Sequence, residues 1–237
     1  MKMKSKRSEQ EAQRKRHKEE LADAKARRRG ERYIERSKPT IEEKPTILIV
    51  CEGANTEPGY FNQFRLTSAT VKTVGAGCNT VSLVNQAQIL SKNGHYNHVW
   101  CVFDKDDFPA EDFNEAIRLA SNLGFGVAYS NQAFEYWLIL HFEDHQGGAM
   151  HRDQYGDKLN GYLNPLGCFY AAHGNKEITP DIFDHLMAKV PNTDKRRVDL
   201  AIARAERIFN DKDHRSSATE ESSTKVYMLV RFLLNYV

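Results

Sequence analysis

ILIVCEGANTEPGYF (residues 47–61) and HVWCVFDKDDF (residues 98–108) set the architecture of this chain. Each opens on an apolar run of strand length, and each run ends abruptly in acid. Glu52 follows the first run; Asp104, Asp106 and Asp107 follow the second. If the two runs are neighbouring parallel strands, these carboxylates converge at one edge of a sheet. Like charges held that close repel one another and raise their proton affinity. A divalent cation relieves the repulsion, and hard oxygen donors suit Mg2+ or Mn2+. The pattern points to metal-dependent phosphate chemistry.

Outward from these stretches, strand and helix signals alternate. TILIV (46–50), Thr70–Val74, His98–Phe103 and Gly126–Tyr129 read as strands. Between them, VSLVNQAQIL (81–90) and residues 110–122 have helical spacing, the latter through Phe113, Ala116, Ile117 and Ala120. Thr56 is the expected N-cap of a short helix, with Glu57 and Pro58 in its first turn. AFEYWLILHF (133–142) reads as a further helix packed through Phe134, Trp137, Leu138 and Leu140. Such alternation with short connections predicts a mostly parallel α/β sheet over residues 45–143, flanked by helices on both faces. Its strand-to-helix turns would share the edge where open sheets bind ligands.

Residues 144–237 form the expected helical extension, with helices at Thr179–Lys189, Asp194–Phe209 and Ser222–Tyr236. Thr193 or Asp194 would cap the second, and Ser223 and Thr224 would cap the third or contact a phosphate. HQGGAMHRDQYGDKLNGYLNPLG (145–167) has no clear period and reads as irregular. Residues 1–44 carry 16 Lys and Arg against 9 Asp and Glu, whereas the remainder carries 18 against 23. A basic arm, helical or disordered, thus precedes a mildly acidic body, and such an arm can neutralise DNA or RNA phosphates.

Within the core, Glu52 would emerge into the crevice beside Gly53. Asp104 and Asp106 flank Lys105, so alternation along an extended segment turns both acids to one side. Asp107 is either a further ligand or the cap of the next helix. Glu57 and Glu135 are candidates to serve a second ion or to move protons, or else are favourable first-turn charges. Lys72, Lys92 and Lys105 are possible phosphate neighbours. Lys195, Arg196, Arg197, Arg204 and Arg207 either contact a nucleic-acid backbone or solvate a helix face.

Other chemistries find little support. GAGCN (75–79) lacks the spacing of a dinucleotide or P-loop fingerprint. His141, His145, His151, Cys168 and His173 match no zinc signature, so ordinary hydrogen-bonding roles are expected of them. The four cysteines show no paired spacing and imply a reduced, cytoplasmic setting; no run is long enough to span a membrane. No nucleophile elbow supports a serine triad.

ILIVCEG-x-x-TEPGYF, VWCVFDKDDFP, VAYSNQAFEYWLILHF and the terminal SSTKVYMLVRFL together resemble the RloB-like family, found with bacterial abortive-infection and restriction-linked defence loci. The basic arm resembles the family's frequent arrangement, while Glu221-Ser222 stands where the family usually has Asn-Pro. The family is similar to Toprim domains, whose glutamate after the first strand and later DxD bind catalytic Mg2+. That resemblance implies the role for Glu52, Asp104 and Asp106, and less directly for Glu57 and Glu135. It implies a Mg2+-dependent nuclease acting on DNA or RNA in antiphage defence, with an ATPase partner encoded nearby. The competing expectation is a noncatalytic nucleic-acid-binding or assembly component.

Overall fold

The computed structural model describes residues 6–30, 44–73, 80–106 and 109–237. Asp107, the GAGCN stretch and most of KPTIEEKP lie outside the described residues. Residues 1–43 and 44–237 are separate compact units. In the first, α1 (Lys6–Gly30) is a 25-residue helix whose described side chains are exposed. It has charge on every face and no apolar stripe to build a core.

The second unit is an α/β fold. Four strands, β1 (Ile47–Cys51), β2 (Ala69–Thr73), β3 (His98–Lys105) and β4 (Gly126–Asn131), form one all-parallel sheet in the order β2-β1-β3-β4. The period-two geometry of a strand divides its apolar residues between two cores. Leu48, Val50, Cys101, Phe103 and Tyr129 face α3 (Thr80–Lys92) and α4 (Ala110–Asn122). Ile47, Ile49, Cys51, Val102 and Ala128 face α2 (Thr56–Asn62), α5 (Glu135–Ile139) and the later helices. Those helices are α6 (Tyr155–Leu163), α7 (Pro180–Met187), α8 (Arg197–Asn210) and α9 (Val226–Leu234). The sheet is therefore buried on both faces, which is why its strands read as continuous apolar runs.

The last strand is closed by the chain's own C-terminal segment. Thr224 bridges Ser130 in antiparallel fashion, Asn131 N–H donates to the Ser223 carbonyl, and Lys225 N–H donates to that of Tyr129. This satisfies an edge that would otherwise expose unpaired backbone groups. Asn131 completes the join: its buried Nδ2 donates to the carbonyls of Ser217 and Glu220 and to Ser223 Oγ. Asn131→Ala is expected to cost about 2–3 kcal/mol, because it strands several buried acceptors at once. Chemical denaturation would read the loss as an earlier midpoint at unchanged slope.

Several local expectations are corrected. Residues 145–167 are not irregular throughout, since α6 lies inside them. Gly156 and Gly161 dilute its helical signal, but Tyr155, Leu159 and Leu163 pack into the core. The helix in 133–142 is only Glu135–Ile139, and the terminal one starts at Val226, not Ser222. Thr224 Oγ does accept from Val226 N–H, beside its contact with the Tyr129 carbonyl. Neither Thr193 nor Asp194 caps α8. Lys189 and Arg196 pair as a bridge that holds 190–195 in a turn, Asp194 meets Lys189, and the helix begins at Arg197. Thr56 is the first helical residue and not the cap, because its hydroxyl is engaged elsewhere.

Candidate metal and phosphate site

β1 is flanked by β2 on one side and β3 on the other, so the chain changes direction between β1 and β3. Open α/β sheets form their ligand crevice at such a switch point, outside the carboxyl ends of the strands. Glu52 is the first residue past β1, and its N–H still pairs with the Val102 carbonyl of β3. Its Oε2 accepts from the Asp104 N–H at 3.3 Å. Asp104, near the end of β3, in turn accepts on Oδ2 from Phe134 N–H at 3.1 Å, which ties it to the turn entering α5. Two strands and the following turn thereby converge on two carboxylates.

Glu57 and Glu135 join them from the helix starts. Both are buried. The Glu57 carboxylate lies over Gly53, where a Cβ would overlap it; the glycine after β1 leaves this space. Gly53→Ala is therefore expected to displace Glu57 while changing stability little, since a flexible side chain does the moving. If Glu57 takes part in turnover, activity falls about tenfold or more; unchanged turnover would argue for a merely structural Glu57.

Glu135 is held by two residues of the C-terminal part. Tyr170 donates its hydroxyl proton to Oε1 at 2.7 Å, and Lys176 Nζ lies 3.3 Å from the same oxygen. Thr56 Oγ1 stands 3.0 Å from the Tyr170 hydroxyl and donates to the Lys176 carbonyl. This competition explains why Thr56 does not cap α2.

Burial first, and mutual repulsion second, raises the proton affinity of these acids. Burial pushes Glu52 up to about 7, with the charges of Asp106 and Glu57 adding to the rise. Burial also raises Asp104 well above the carboxylate range, followed by repulsion from Glu57, Glu135 and Glu52. Glu57 is raised by burial and then by Glu135. Glu52, Glu57, Asp104 and Glu135 thus share one electrostatic neighbourhood, with Asp106 close enough to act on Glu52.

A hard divalent cation suits these donors in kind: all are carboxylate oxygens, and their mutual repulsion is what such an ion relieves. Their present arrangement is not a finished ligand shell. Among the described residues, no three His, Cys, Asp or Glu side chains are gathered to hold a metal. Glu52 is turned to a backbone N–H, Glu57 to Gly53, and Glu135 to Tyr170 and Lys176.

Other candidates are distributed differently. Lys105 donates to the Asp106 carbonyl. Lys92 ends α3 at the opposite edge, next to the segment whose Asn97 pairs with Thr46 at the start of β1. The cations in and before α8 have partners within the chain: Arg204 donates to the Leu140 carbonyl, Arg207 pairs with Asp144, and Arg196 with Asp199. Arg197 lies over Phe142. His141 is buried and bonded through Nδ1 to the Trp137 carbonyl, while His145 meets the Tyr136 hydroxyl. Sequence reasoning missed Tyr170, Lys176 and Arg152, which neighbours the acids from a distant segment. No short motif marks them; only their fold-level approach does.

No described helix is long and apolar enough to cross a membrane. Comparison with curated proteins and with solved structures returns no match. The model of the RloB-like protein family matches residues 47–233, a span that contains the whole sheet and every acid at its edge. The chain belongs to the RloB-like family.

Proposed function

We propose that this protein is a Mg2+-dependent nuclease that hydrolyses phosphodiester bonds of DNA or RNA, acting in bacterial antiphage defence. The observation that carries the chemistry is the meeting of Glu52 with Asp104 at the β1/β3 switch point, with Glu57 and Glu135 beside them. The meeting supports the Toprim-like reading that the sequence resemblance implies. Glu52, Asp104 and Asp106 would hold the ion, and Mn2+ could replace Mg2+. Once bound, the ion supplies positive charge to phosphate oxygens and makes a water more acidic.

The chain's own groups account for the rest. Glu57, whose proton affinity burial raises, would accept the proton of an attacking water. Tyr170 and Lys176 fix Glu135 at the rim, so a carboxylate faces the substrate in one orientation. The basic arm would add sequence-independent attraction to the phosphate backbone, and an ATPase partner from the same locus would regulate access. The defence role is proposed from the setting that the resemblance implies for the family.

A second reading has its own support. Glu135 is already neutralised by Lys176, and this favours a noncatalytic nucleic-acid-binding or assembly component that kept the acidic edge. A cleavage screen with Mg2+ or Mn2+ separates the two, using single-stranded DNA, duplex DNA and RNA. The nuclease reading expects turnover by wild type and none by a folded Asp104→Asn/Asp106→Asn variant that still binds nucleic acid. Metal-independent binding without turnover on every substrate would establish the assembly reading instead.

A further inference from the structure

A cavity of about 100 Å3 opens beside the acidic edge. Ala133 and Glu135 form one wall, on either side of Phe134, whose N–H holds Asp104. Arg152, in the turn before α6, Tyr155 at the first residue of α6, His173 and Lys176 also line the cavity. Pockets that enclose drug-sized ligands measure roughly 300 Å3 or more, so a nucleoside is too large for this one. The space suits about three waters or a single tetrahedral oxyanion.

The charges around the cavity are unequally committed. Lys176 is paired with Glu135, and the exposed Asp153 is bonded through its N–H to His151 Nδ1. Arg152 is different: among the described residues its side chain makes no hydrogen bond or ion pair. Its positive charge nonetheless reaches Glu52 and favours the ionised carboxylate. A half-buried guanidinium with five donors and no acceptor lacks partners that a ligand can supply. Its planar fork matches two oxygens of one phosphate.

We propose that Arg152 contacts the phosphate of a phosphodiester substrate in this cavity, so that the group to be cleaved lies between the uncommitted guanidinium and the carboxylate edge. The inference rests on the phosphodiesterase reading of the same site and adds the residue that positions its substrate. Positive charge on this side would also offset the negative charge that gathers on the phosphate oxygens during displacement.

The test uses the full chain as wild type, Arg152→Ala, Arg152→Lys and Asp104→Asn, each checked for fold by thermal unfolding. Two measurements are made. One is cleavage of whichever nucleic acid the screen identifies; the other is titration with dimethyl phosphate in Mg2+, followed by phosphorus NMR. Arg152→Ala is expected to lower kcat/KM about a hundredfold, with Arg152→Lys intermediate and added guanidinium restoring part of the loss. Its dimethyl phosphate affinity should fall about tenfold. Wild-type values for Arg152→Ala in either measurement would overturn the assignment. So would an equal loss in Arg152→Lys without guanidinium rescue, which marks a structural role. If wild type cleaves nothing, the nuclease reading fails by itself, and the phosphate titration alone then decides the assignment: weak binding by wild type, or equal binding by Arg152→Ala, ends it.

Discussion

Asp104→Asn is expected to lower cleavage about a thousandfold or more and, in the same protein, to raise thermal stability when metal is removed by chelation. The two effects share one cause. Asp104 is held among Glu57, Glu135 and Glu52, and its charge is opposed first by burial and then by those neighbours. Asparagine keeps the shape and still offers an oxygen to the Phe134 N–H that Asp104 accepts. What disappears is the charge, which is the part a cation and a phosphate would use. A residue that serves only the fold would behave in the opposite way, losing stability along with activity. Turnover by chromatographic or gel assay and melting temperature in chelator are the readouts. Retained turnover, or a lowered melting temperature in chelator, would show that Asp104 is not a charge stored at the expense of stability for function.

What the sequence could and could not convey follows from the range of each interaction. The strands were readable because a sheet buried on both faces demands unbroken apolar runs, and Ile47–Cys51 and Val99–Phe103 meet that demand locally. Glu52 and Asp104 were readable for the same reason, since each stands where such a run stops. The helix α6 was hidden by two glycines, and only its packing through Tyr155, Leu159 and Leu163 sustains it. Caps failed where a tertiary partner competed for the hydroxyl, as Tyr170 and Lys176 do for Thr56. The second half of the site was invisible for a similar reason. Tyr170, Lys176 and Arg152 reach the acids from segments 95 to 119 positions past Glu57 along the chain, and no periodicity encodes that approach. The basic run at 195–207 left two readings open in the sequence, and the partners that the fold supplies, Leu140, Asp144 and Asp199, were likewise beyond its reach.

The difference in stability between Glu52→Gln and wild type is expected to grow with pH in the absence of metal, from near zero at pH 4 to about 2 kcal/mol above pH 8, with the variant the more stable. Glu52 is pushed up from an ordinary value of 4.5 to about 7 in the folded chain. Between those values the native state keeps a proton that the unfolded chain has released. The native state therefore binds more protons, and stability falls as pH rises. Below the lower value both states are protonated and above the upper one neither is, so the loss is confined to that window. Full conversion of the shift would give about 3 kcal/mol; partial exposure of Glu52 to solvent reduces it to the smaller figure. Wild type alone would hide the effect, because His141 works against it. Burial lowers His141 to about 3 from 6.5, so its unfolded form takes up protons first and stability rises with pH over that interval. Subtracting wild type from Glu52→Gln cancels His141 and leaves the contribution of Glu52. Saturating Mg2+ should then stabilise wild type preferentially, as a cation replaces the missing proton among the carboxylates and its binding adds to folded-state stability. A pH-independent difference would mean that Glu52 carries no stored repulsion. A Mg2+ response equal in both proteins would remove Glu52 from the ion's ligands while leaving Asp104 and Asp106 to be tested in the same way.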